Sequence, residues 1–480
     1  MSTPPDNLIP PARGAKHLEY FESRAATRAA YRKRFQYYYG DIARYCSYFI
    51  HGEASVLEVG CGTGELLNDV PGCRKVGIDF SPRMVAEAKK QFPALEFRVM
   101  DAEKLELNET FDVILLSNLV GFLDDVQQML EGLHRVCHER TKIILTYHNH
   151  LWEPMLSLAE EISFKAASPV QNWLSRQDLE NMLSLAGFEV YKVIPRMLVP
   201  FRIPLVSSFI NRYIGSLPGF RHFAINQYVF ARPNRQAPHP EHSVSVVIPA
   251  RNESGNIENA VKRMPAFGRS LEIIFVEGNS TDDTWDVIQA VAEKYKDTHR
   301  IVVAKQDGKG KGDAVRKGFH LATGEILMIL DADLTVVPEA LPRFYEALEK
   351  NQGDFIMGSR LVYPMESQAM RFLNMLGNRF FSMVFSWLLD QPMKDTLCGT
   401  KVLFRSDYER LVKNREFFGE FDPFGDYDLI FGAFKLNLKI VEVPIRYQAR
   451  TYGETNISRF RHGFLLLQMC VFAARKIKWY

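Results

Sequence analysis

Two carboxylates stand together in the C-terminal half of the chain, where the apolar run ILMIL ends abruptly in Asp331-Ala332-Asp333. Burying carboxylates at the end of an apolar strand is unfavourable unless a cation or hydrogen-bond donors accompany them. A divalent metal that bridges them to a pyrophosphate would remove that penalty, and oxygen ligands suit Mg²⁺ or Mn²⁺. The alternative is a helix N-cap pair, because a helix opens near Pro338. The lysine- and glycine-rich residues 305–319 just upstream favour the metal.

Polar residues also follow neighbouring strands of this half. SVVIPARNES (245–254) is a strand that ends in a polar loop, and EIIFVEGNSTDDTWDVI (272–288) is a strand that ends in an acid. Such residues suit a base and a ribose, whereas the glycines and lysines of 305–319 suit a flexible cover over phosphates. Alone, that last segment equally fits a solvated basic loop. The nucleotide-sugar-binding candidates are Pro249, Arg251, Glu253, Glu277 and Lys311.

The N-terminal half carries a different motif, SVLEVGCGTGELL (55–67), which reads as a strand, a glycine-rich turn and a helix start. Gly60 and Gly62 allow the backbone to turn sharply and to approach a ligand closely. Glu58, two residues before the first glycine, suits a ligand with an ammonium group. The spacing is G-x-G-x-G and lacks the G-x-G-x-x-G that places a pyrophosphate at a helix N-terminus, which argues against NAD.

Further polar residues end the next strands of this half. Asp79 ends the second strand, where an acid can accept hydrogen bonds from both ribose hydroxyls. Asp101 and Ala102 follow the third strand and Asn118 follows the fourth. His148 follows the fifth, where a general base could sit, but we favour a packing or solvated-loop role for it.

Each half alternates short apolar runs with helical stretches, the pattern of α/β layers. The proline-rich, polar segment ARPNRQAPHPEH (231–242) separates the two halves. We therefore expect a first domain at 1–233, with its core from about residue 40, a linker at 234–242 and a second domain at 243–480.

The bulk composition sets further bounds. The 480 residues are 46% hydrophobic with a net charge of +2, which gives no reason to expect nucleic-acid binding. Six scattered cysteines without a C-x-x-C pair fit a reducing compartment. The absence of a signal-type N-terminus and of a long apolar run predicts a cytoplasmic protein, peripheral at most on the inner face of the membrane. Apolar segments 371–390 and 463–480 fit either interfacial helices or packing on the sheet, with Arg475, Lys476 and Lys478 facing lipid in the first case.

The first half, at about 40–233, resembles class I S-adenosylmethionine-dependent methyltransferases through its glycine turn and strand-end acids. The resemblance implies a Rossmann-like fold with S-adenosylmethionine as cofactor. It implies Gly60 and Gly62 under the methionine part, Asp79 on the ribose, Asp101 at the adenine amino group, and Asn118 at cofactor or substrate; Glu58 and Ala102 complete the set.

The second half, at about 243–457, resembles family 2 glycosyltransferases of the GT-A fold. The segments DGKGKGDAVRKGF, LDADLTVVP, GSR and DTLCGTKVLFR are similar to those of dolichyl- or polyprenyl-phosphate hexose synthases. The resemblance implies inverting transfer from a UDP- or GDP-sugar, with Mg²⁺ or Mn²⁺ on Asp331 and Asp333. Asp426 is the candidate base, or orients a lipid phosphate that needs none, and Arg450 and Arg360 are candidates to neutralise phosphates. Glu277 replaces the family's aspartate, which leaves the choice of uridine or guanosine open.

Together these patterns predict a bifunctional enzyme. One domain transfers a methyl group from S-adenosylmethionine, and the other transfers a sugar to polyprenyl phosphate or a related glycan precursor. One alternative gives the glycosyltransferase a saccharide, protein or natural-product acceptor. Another makes the first domain a non-catalytic S-adenosylmethionine-binding module, and a third leaves neither site active.

Overall fold

The structure, a computed structural model, describes residues 13–162, 169, 171–234, 241–360, 372–413, 427–446, 452 and 459–479. The chain divides into two compact units, Met1–Arg235 and Gln236–Tyr480. Each unit is built on one seven-stranded sheet, which confirms the predicted α/β class. Most of the expected linker lies outside the described residues.

The sheet of the first unit has the order β3-β2-β1-β4-β5-β7-β6. Its strands are β1 (Ser55–Val59), β2 (Arg74–Asp79), β3 (Glu96–Val99), β4 (Phe111–Ser117), β5 (Cys137–His148), β6 (Phe188–Arg196) and β7 (Asn226–Pro233). Strands β1 to β5 are parallel and β7 is antiparallel to both of its neighbours. The polar residues that follow β1 to β5 therefore meet at one edge, where doubly wound sheets bind their ligands. Strand β7 continues to Pro233, the last residue of the expected first domain, so the first three residues of the polar segment 231–242 belong to the sheet.

The helices of the first unit are α1 (Arg13–Arg24), α2 (Arg28–Arg34), α3 (Gln36–Phe49), α4 (Glu65–Asp69), α5 (Pro82–Gln91), α6 (Val126–Gly132), α7 (Glu153–Glu161), α8 (Arg176–Leu185) and α9 (Val206–Phe209). The aromatic residues of α3 pack on β7. Tyr45 meets Tyr228 and Phe49 meets Phe230, with ring centroids 4.9 and 4.8 Å apart. Tyr45 and Phe49 of α3 are thus part of the core on this side of the sheet.

The second unit has the order β10-β9-β8-β11-β13-β12-β14. Its strands are β8 (Ser243–Ala250), β9 (Ser270–Glu277), β10 (Arg300–Lys305), β11 (Ile326–Ile329), β12 (Phe355–Ser359), β13 (Lys401–Phe404) and β14 (Ile440–Pro444). Strand β13 is antiparallel to β11 and β12, and the other pairs are parallel. The parallel ladder β9-β8-β11 brings the residues after these three strands to one edge.

The helices of the second unit are α10 (Ser254–Lys262), α11 (Thr284–Lys294), α12 (Lys311–Leu321), α13 (Leu341–Glu349), α14 (Phe372–Leu389), α15 (Arg405–Lys413), α16 (Tyr427–Lys435) and α17 (Arg459–Ile477). The two apolar segments form α14 and α17, which pack together. One face of α17 is buried, which supports the packing interpretation, whereas Phe464, Leu467 and Val471 are exposed. Contact of that exposed face with lipid stays a prediction.

No helix in the described part of the chain combines the length and apolar content that a membrane span requires. The expectation that Lys478 faces lipid is wrong. Its ammonium group pairs with Asp390 and its side chain is only 8% exposed, because burial next to a carboxylate is more favourable than burial alone.

Candidate functional site

The glycine turn that follows β1 lies against the carboxylate that ends β2. The amide of Gly62 donates to Asp79 Oδ2 over 2.8 Å. Gly60 and Gly62 have φ angles of 75° and 53°, a region that disfavours L side chains. A Cβ on Gly60 would lie 2.7 Å from the Leu119 side chain, whereas one on Gly62 would meet nothing within 4 Å. Gly62 therefore faces open space where a ligand can approach the backbone.

The Asp79 carboxylate accepts hydrogen bonds from the glycine turn and from the start of α5. Its second oxygen, Oδ1, accepts from the Ser81 amide over 2.9 Å, where α5 begins. Burial raises the pKa of Asp79, although these two amides oppose the shift. Sequence analysis anticipated a ribose partner and missed this anchoring role. Each carboxylate oxygen keeps a second lone pair, so a hydroxyl can still bind.

Glu58 lies in β1 with an unsatisfied carboxyl group. The residue is 3% exposed, and its Oε2 has no hydrogen-bond partner among the described residues. Burial raises the pKa of Glu58 to about 8, with Arg32 acting in the opposite direction. A ligand ammonium group would supply the missing partner and favour the ionised carboxylate. The residue fits the predicted ammonium-bearing ligand.

We expect the affinity for S-adenosylmethionine to rise with pH from about 6 to about 8. In the free protein Glu58 is protonated below pH 8, and binding an ammonium group requires its proton to leave. Above about pH 8 the ligand's own amino group loses its proton, so the affinity falls again. Calorimetry in buffers of different ionisation enthalpy measures the proton released. In Glu58→Gln the affinity should drop about tenfold and should no longer rise with pH, while the half-buried surface control Glu87→Gln keeps both the affinity and its pH dependence.

The remaining predicted cofactor residues lie at the same sheet edge. Asp101 follows β3, is exposed, and accepts from the Glu103 amide over 3.0 Å. Its neighbour Ala102 is buried in the core. Asn118 follows β4 with a φ of 52°, and its Oδ1 is buried without a partner in the part of the chain that the structure describes. A strained residue with an unsatisfied oxygen is typical of a ligand site.

Asn118 belongs to a polar cluster that sequence analysis did not identify. The Tyr38 hydroxyl donates to Asn226 Oδ1 over 2.8 Å and accepts from Asn118 Nδ2 over 3.3 Å. His148 Nε2 lies 2.9 Å from the same hydroxyl. Because Tyr38 has one proton and gives it to Asn226, His148 is the donor in this contact. His148 is therefore held at the site edge by Tyr38, a contact that is compatible with the packing role that we favoured.

The first two helices cover this edge of the sheet. Phe21 in α1 meets Phe80 and Phe122 edge-on, with ring centroids 5.8 and 5.2 Å apart. Phe80 directly follows the Asp79 carboxylate. Arg32 Nε in α2 lies 3.8 Å from Glu65 Oε2 at the start of α4. These helices and the glycine turn enclose a space. The polar groups in that space come from four strands.

In the second unit, Asp331 follows β11 and forms an ion pair with Lys311, the first residue of α12, with 2.5 Å between Oδ1 and Nζ. Burial alone would raise the pKa of Asp331, but the Lys311 ammonium holds it below its ordinary value. Asp333 is buried, and its Oδ1 accepts from the amide and the hydroxyl of Thr335 over 3.1 and 2.8 Å. The 3₁₀ turn at Pro338–Ala340 has no side-chain cap, so the N-cap alternative is wrong.

The Asp331 and Asp333 pair fits a divalent metal that also binds a diphosphate. No group of three histidine, cysteine, aspartate or glutamate side chains is placed to hold a metal within the described ranges. Asp331 and Asp333 would hold the metal, and phosphate oxygens and water would supply further ligands. Lys311 lies where it can contact the same phosphates.

The segment between β12 and β13 closes on these acids. A Cβ on Gly399 would overlap Asp331 Oδ2 and lie 2.5 Å from Lys311 Nζ. The buried Lys401 donates from Nζ to the Cys398 carbonyl over 2.6 Å. Gly399 is therefore a site residue, although sequence analysis quoted its segment without identifying the glycine.

Gly399→Ala should reduce sugar transfer about 30-fold, about 2 kcal/mol, because the added methyl group displaces Asp331 and Lys311. The rate with a saturating nucleotide-sugar and metal measures the effect. Gly377→Ala is the matched control, since a Cβ there meets nothing within 4 Å. Wild-type rates in Gly399→Ala would remove this segment from the site.

Two predicted nucleotide-binding acids are bound to their own loops. Glu253 Oε2 accepts from Asn256 Nδ2 over 2.7 Å, and Glu277 Oε1 accepts from the Ser280 amide over 2.5 Å. Both acids are buried. They shape the two loops that follow β8 and β9, and any contact with a nucleotide would be additional to these bonds.

Arg360 is paired with a buried carboxylate. Its Nε and Nη2 donate to the two oxygens of Asp395 over 2.6 and 2.8 Å, and Asp395 is fully buried. This pairing ties β12 to the segment before β13, and the charge of Arg360 also lowers the pKa of Asp331. The phosphate role of Arg360 stays a prediction. Pro249 is partly buried at the end of β8 and Arg251 is exposed beyond it.

Asp426 and Arg450 lie outside the described residues. Tyr452, two residues after Arg450, is described. Its hydroxyl lies 3.1 Å from Ser254 Oγ at the start of α10. The chain after β14 thus returns to the loop that follows β8.

Comparisons with known proteins assign both units. Residues 57–145 match the family described as methyltransferase domain, and residues 245–415 match glycosyl transferase family 2. Each unit therefore contains a region that matches one family model, a methyltransferase domain in the first unit and a family 2 glycosyltransferase domain in the second. Both resemblances predicted from the motifs are confirmed.

Curated relatives match the second half. A dolichol-phosphate mannosyltransferase from Pyrococcus furiosus is 30% identical over 241 residues, 49% of this chain and 64% of that protein. An undecaprenyl-phosphate 4-deoxy-4-formamido-L-arabinose transferase from Pseudomonas aeruginosa is 28% identical over 228 residues, 47% of this chain and 63% of that protein. The chain thus spans less than two thirds of the length of these relatives.

Solved structures are similar to each half separately. A methyltransferase from Thermotoga maritima is 17% identical with a TM-score of 0.36, over 45% of this chain and 99% of that one. Glucosyl-3-phosphoglycerate synthase from Mycobacterium tuberculosis, solved with Mn²⁺ and UDP, is 19% identical with a TM-score of 0.37, over 49% of this chain and 80% of that one.

Proposed function

We propose that the second domain transfers a hexose from a UDP- or GDP-sugar to a polyprenyl phosphate. We also propose that the first domain methylates this product or another compound of the same pathway. The observation that carries the sugar-transfer half is the Asp331–Lys311 pair beside Asp333 at the end of β11. Two relatives whose names specify dolichol or undecaprenyl phosphate support the lipid acceptor.

The acids and the lysine have separate roles in this proposal. Asp331 and Asp333 would hold Mg²⁺ or Mn²⁺, which would supply positive charge to the diphosphate leaving group. Lys311, at the N-terminus of α12, exchanges its carboxylate partner for a phosphate oxygen and holds the donor in place. Gly399 keeps the opposite wall free of side chain, so that Asp331 retains its position.

The reaction is a single displacement with inversion. An oxygen of the lipid phosphate forms a bond to the anomeric carbon while the bond from that carbon to the diphosphate breaks. The acceptor is already an anion, so no strong base is needed. We assign Asp426 to orienting the acceptor and Arg450 to neutralising its phosphate; Arg360, which pairs with Asp395, stays a second candidate for the phosphate.

The methyl-transfer part of the proposal rests on the polar cluster of the first unit, which contains Tyr38, Asn118, His148 and Asn226. S-adenosylmethionine, when bound, supplies the electrophilic methyl group. We propose that Glu58, Gly62, Asp79 and Asp101 hold it, while Tyr38 fixes His148 and Asn118 on the acceptor side. A polar acceptor group such as a sugar hydroxyl suits an edge lined by amides and an imidazole.

The test uses the purified full chain with Mg²⁺ or Mn²⁺, a polyprenyl phosphate in detergent and a panel of labelled UDP- and GDP-sugars. Transfer of label into the organic phase with one donor supports the proposal, and the unphosphorylated polyprenol should stay unlabelled. If the chain binds nucleotide with metal yet labels no lipid, the acceptor is instead a saccharide, a protein or a small molecule. When a lipid is labelled, addition of S-adenosylmethionine should increase the mass of that product by one methyl group. Binding of S-adenosylmethionine without methylation would make the first domain a binding module.

A further inference from the structure

Residues 201–223 of the first unit, which we call the 201–223 face, present apolar side chains to the outside. Phe201, Ile203, Leu205, Phe209, Phe220 and Phe223 are all exposed. Leu205 is 89% exposed, and its φ of 66° is strained for a leucine. Exposed apolar surface on this scale marks an interaction site.

Two polar side chains of the same segment, Ser207 and Asn211, form hydrogen bonds inside the unit. Ser207 is buried, donates to the Phe201 carbonyl over 2.6 Å and accepts from the Ile203 amide over 2.9 Å. Asn211 Oδ1 accepts from two backbone amides, and its Nδ2 donates to the Tyr37 hydroxyl over 3.1 Å. Two polar side chains of the segment are therefore held by internal hydrogen bonds, while its large apolar side chains are exposed to water, which water disfavours.

The charge of this region has one sign. The sequence has no aspartate or glutamate between Glu189 and Glu241. Arg202 and Arg212 are exposed among the apolar side chains of the face. Aromatic and aliphatic side chains mixed with exposed arginines are typical of segments that lie in the interface of an anionic bilayer.

Helix α7 extends the same apolar surface. Trp152 Nε1, at its start, donates to the Phe223 carbonyl over 2.8 Å. Met155, Leu158 and Ile162 are exposed and spaced three and four residues apart, so they share one side of the helix. Glu153 and Glu160 of α7 fall on the opposite side at 100° per residue, whereas Glu161 lies at the flank of the apolar side.

The face also adjoins the methyl-transfer site. Tyr37 contacts Asn211 of the face, and the next residue, Tyr38, contacts His148 and Asn118. Asn149, directly after His148, donates to the carbonyls of His222 and Ala224. An acceptor that enters from the face would reach this cluster without crossing the unit.

We propose that the 201–223 face seats the methyltransferase domain on an anionic lipid bilayer, so that the methyl acceptor is reached as part of a membrane lipid. This inference deepens the proposed function and rests on it for the choice of a lipid-borne acceptor. Contact by this face is separate from any contact through the exposed side of α17, which belongs to the other unit.

The test places an environment-sensitive nitrobenzoxadiazole label on the full chain at Phe220→Cys, in a Cys73→Ser background because Cys73 is the exposed cysteine. The matched control label is at Leu185→Cys, which is 70% exposed at the end of α8. Vesicles contain phosphatidylcholine with or without about 30 mol% phosphatidylglycerol. We expect emission at position 220 to rise at least about twofold with anionic vesicles and position 185 to stay unchanged.

The contributions of the apolar side chains and of the arginines are tested by further substitutions in the chain labelled at position 220. Leu205→Asp with Phe209→Asp should remove the response at position 220, and Arg202→Gln with Arg212→Gln should reduce it, while S-adenosylmethionine affinity reports an intact fold. An unresponsive label at 220 on a chain that still sediments with vesicles places the membrane contact elsewhere and overturns the proposal. Equal responses to neutral vesicles overturn its anionic part.

A second copy of the chain is the competing occupant of the face. If sedimentation velocity without vesicles finds a dimer that Leu205→Asp with Phe209→Asp dissociates, the face is a protein contact and the proposal fails. The vesicle assay contains no sugar donor, so its outcome is independent of the sugar-transfer assay. Lipid transfer without vesicle response would leave the proposed function standing and remove this inference alone.

Discussion

Asp331→Asn should lower sugar transfer about 10³-fold, about 4 kcal/mol of transition-state stabilisation. Asparagine has nearly the same volume but no charge, so it holds a divalent metal weakly and no longer balances the Lys311 ammonium at 2.5 Å. The rate of label transfer from the nucleotide-sugar, at several metal concentrations, measures the loss. Extra metal should not restore the rate, because the missing charge acts in the transition state as well as in binding.

Two controls show whether the effect is local. Asp297→Asn removes an exposed carboxylate of the same unit and should leave the rate unchanged. S-adenosylmethionine affinity in Asp331→Asn should equal that of the unmodified chain, because the chain divides into two compact units with separate sheets. Loss of both activities together would indicate misfolding, and a nearly unchanged transfer rate would remove Asp331 from the metal site.

Asp79→Ala should weaken S-adenosylmethionine binding about 100-fold, about 3 kcal/mol. The substitution removes the expected ribose partner and also leaves the amides of Gly62 and Ser81 without their acceptor. The glycine turn and the start of α5 then lose their common anchor, which places the effect at the upper end for buried hydrogen bonds. Equilibrium dialysis or calorimetry with S-adenosylmethionine measures the affinity.

Asp79→Asn separates the two contributions, because an amide keeps one acceptor oxygen and should lose less affinity than alanine. Asp69→Ala, an exposed aspartate at the end of α4, is the control and should bind normally. Sugar transfer should be unaffected in all three variants. Equal affinities for Asp79→Ala and the unmodified chain would show that the cofactor binds elsewhere.

The acids and glycines at strand ends could be predicted from the sequence, because each follows directly after an apolar run that marks a strand. Parallel strands bring their carboxyl ends to one edge, so Asp79, Asp101 and Asn118 follow from the strand pattern, and so does Asp331 with Asp333. Both folds, both families and the two site edges were therefore accessible without coordinates.

The tertiary structure decided which side chains meet across long stretches of chain. Tyr38 and His148 are 110 residues apart, and Arg360 pairs with Asp395 across 35 residues. The contact of Gly399 with Asp331 depends on the antiparallel insertion of β13 beside β11, which leaves no periodic mark in the sequence. The exposure of the apolar side chains of the 201–223 face also depends on the folded structure. The segment is held in this conformation by hydrogen bonds of Ser207 and Asn211 to backbone groups. Local pattern encodes where a strand ends and with which residue; contacts between distant segments depend on how the layers pack, which no single segment specifies.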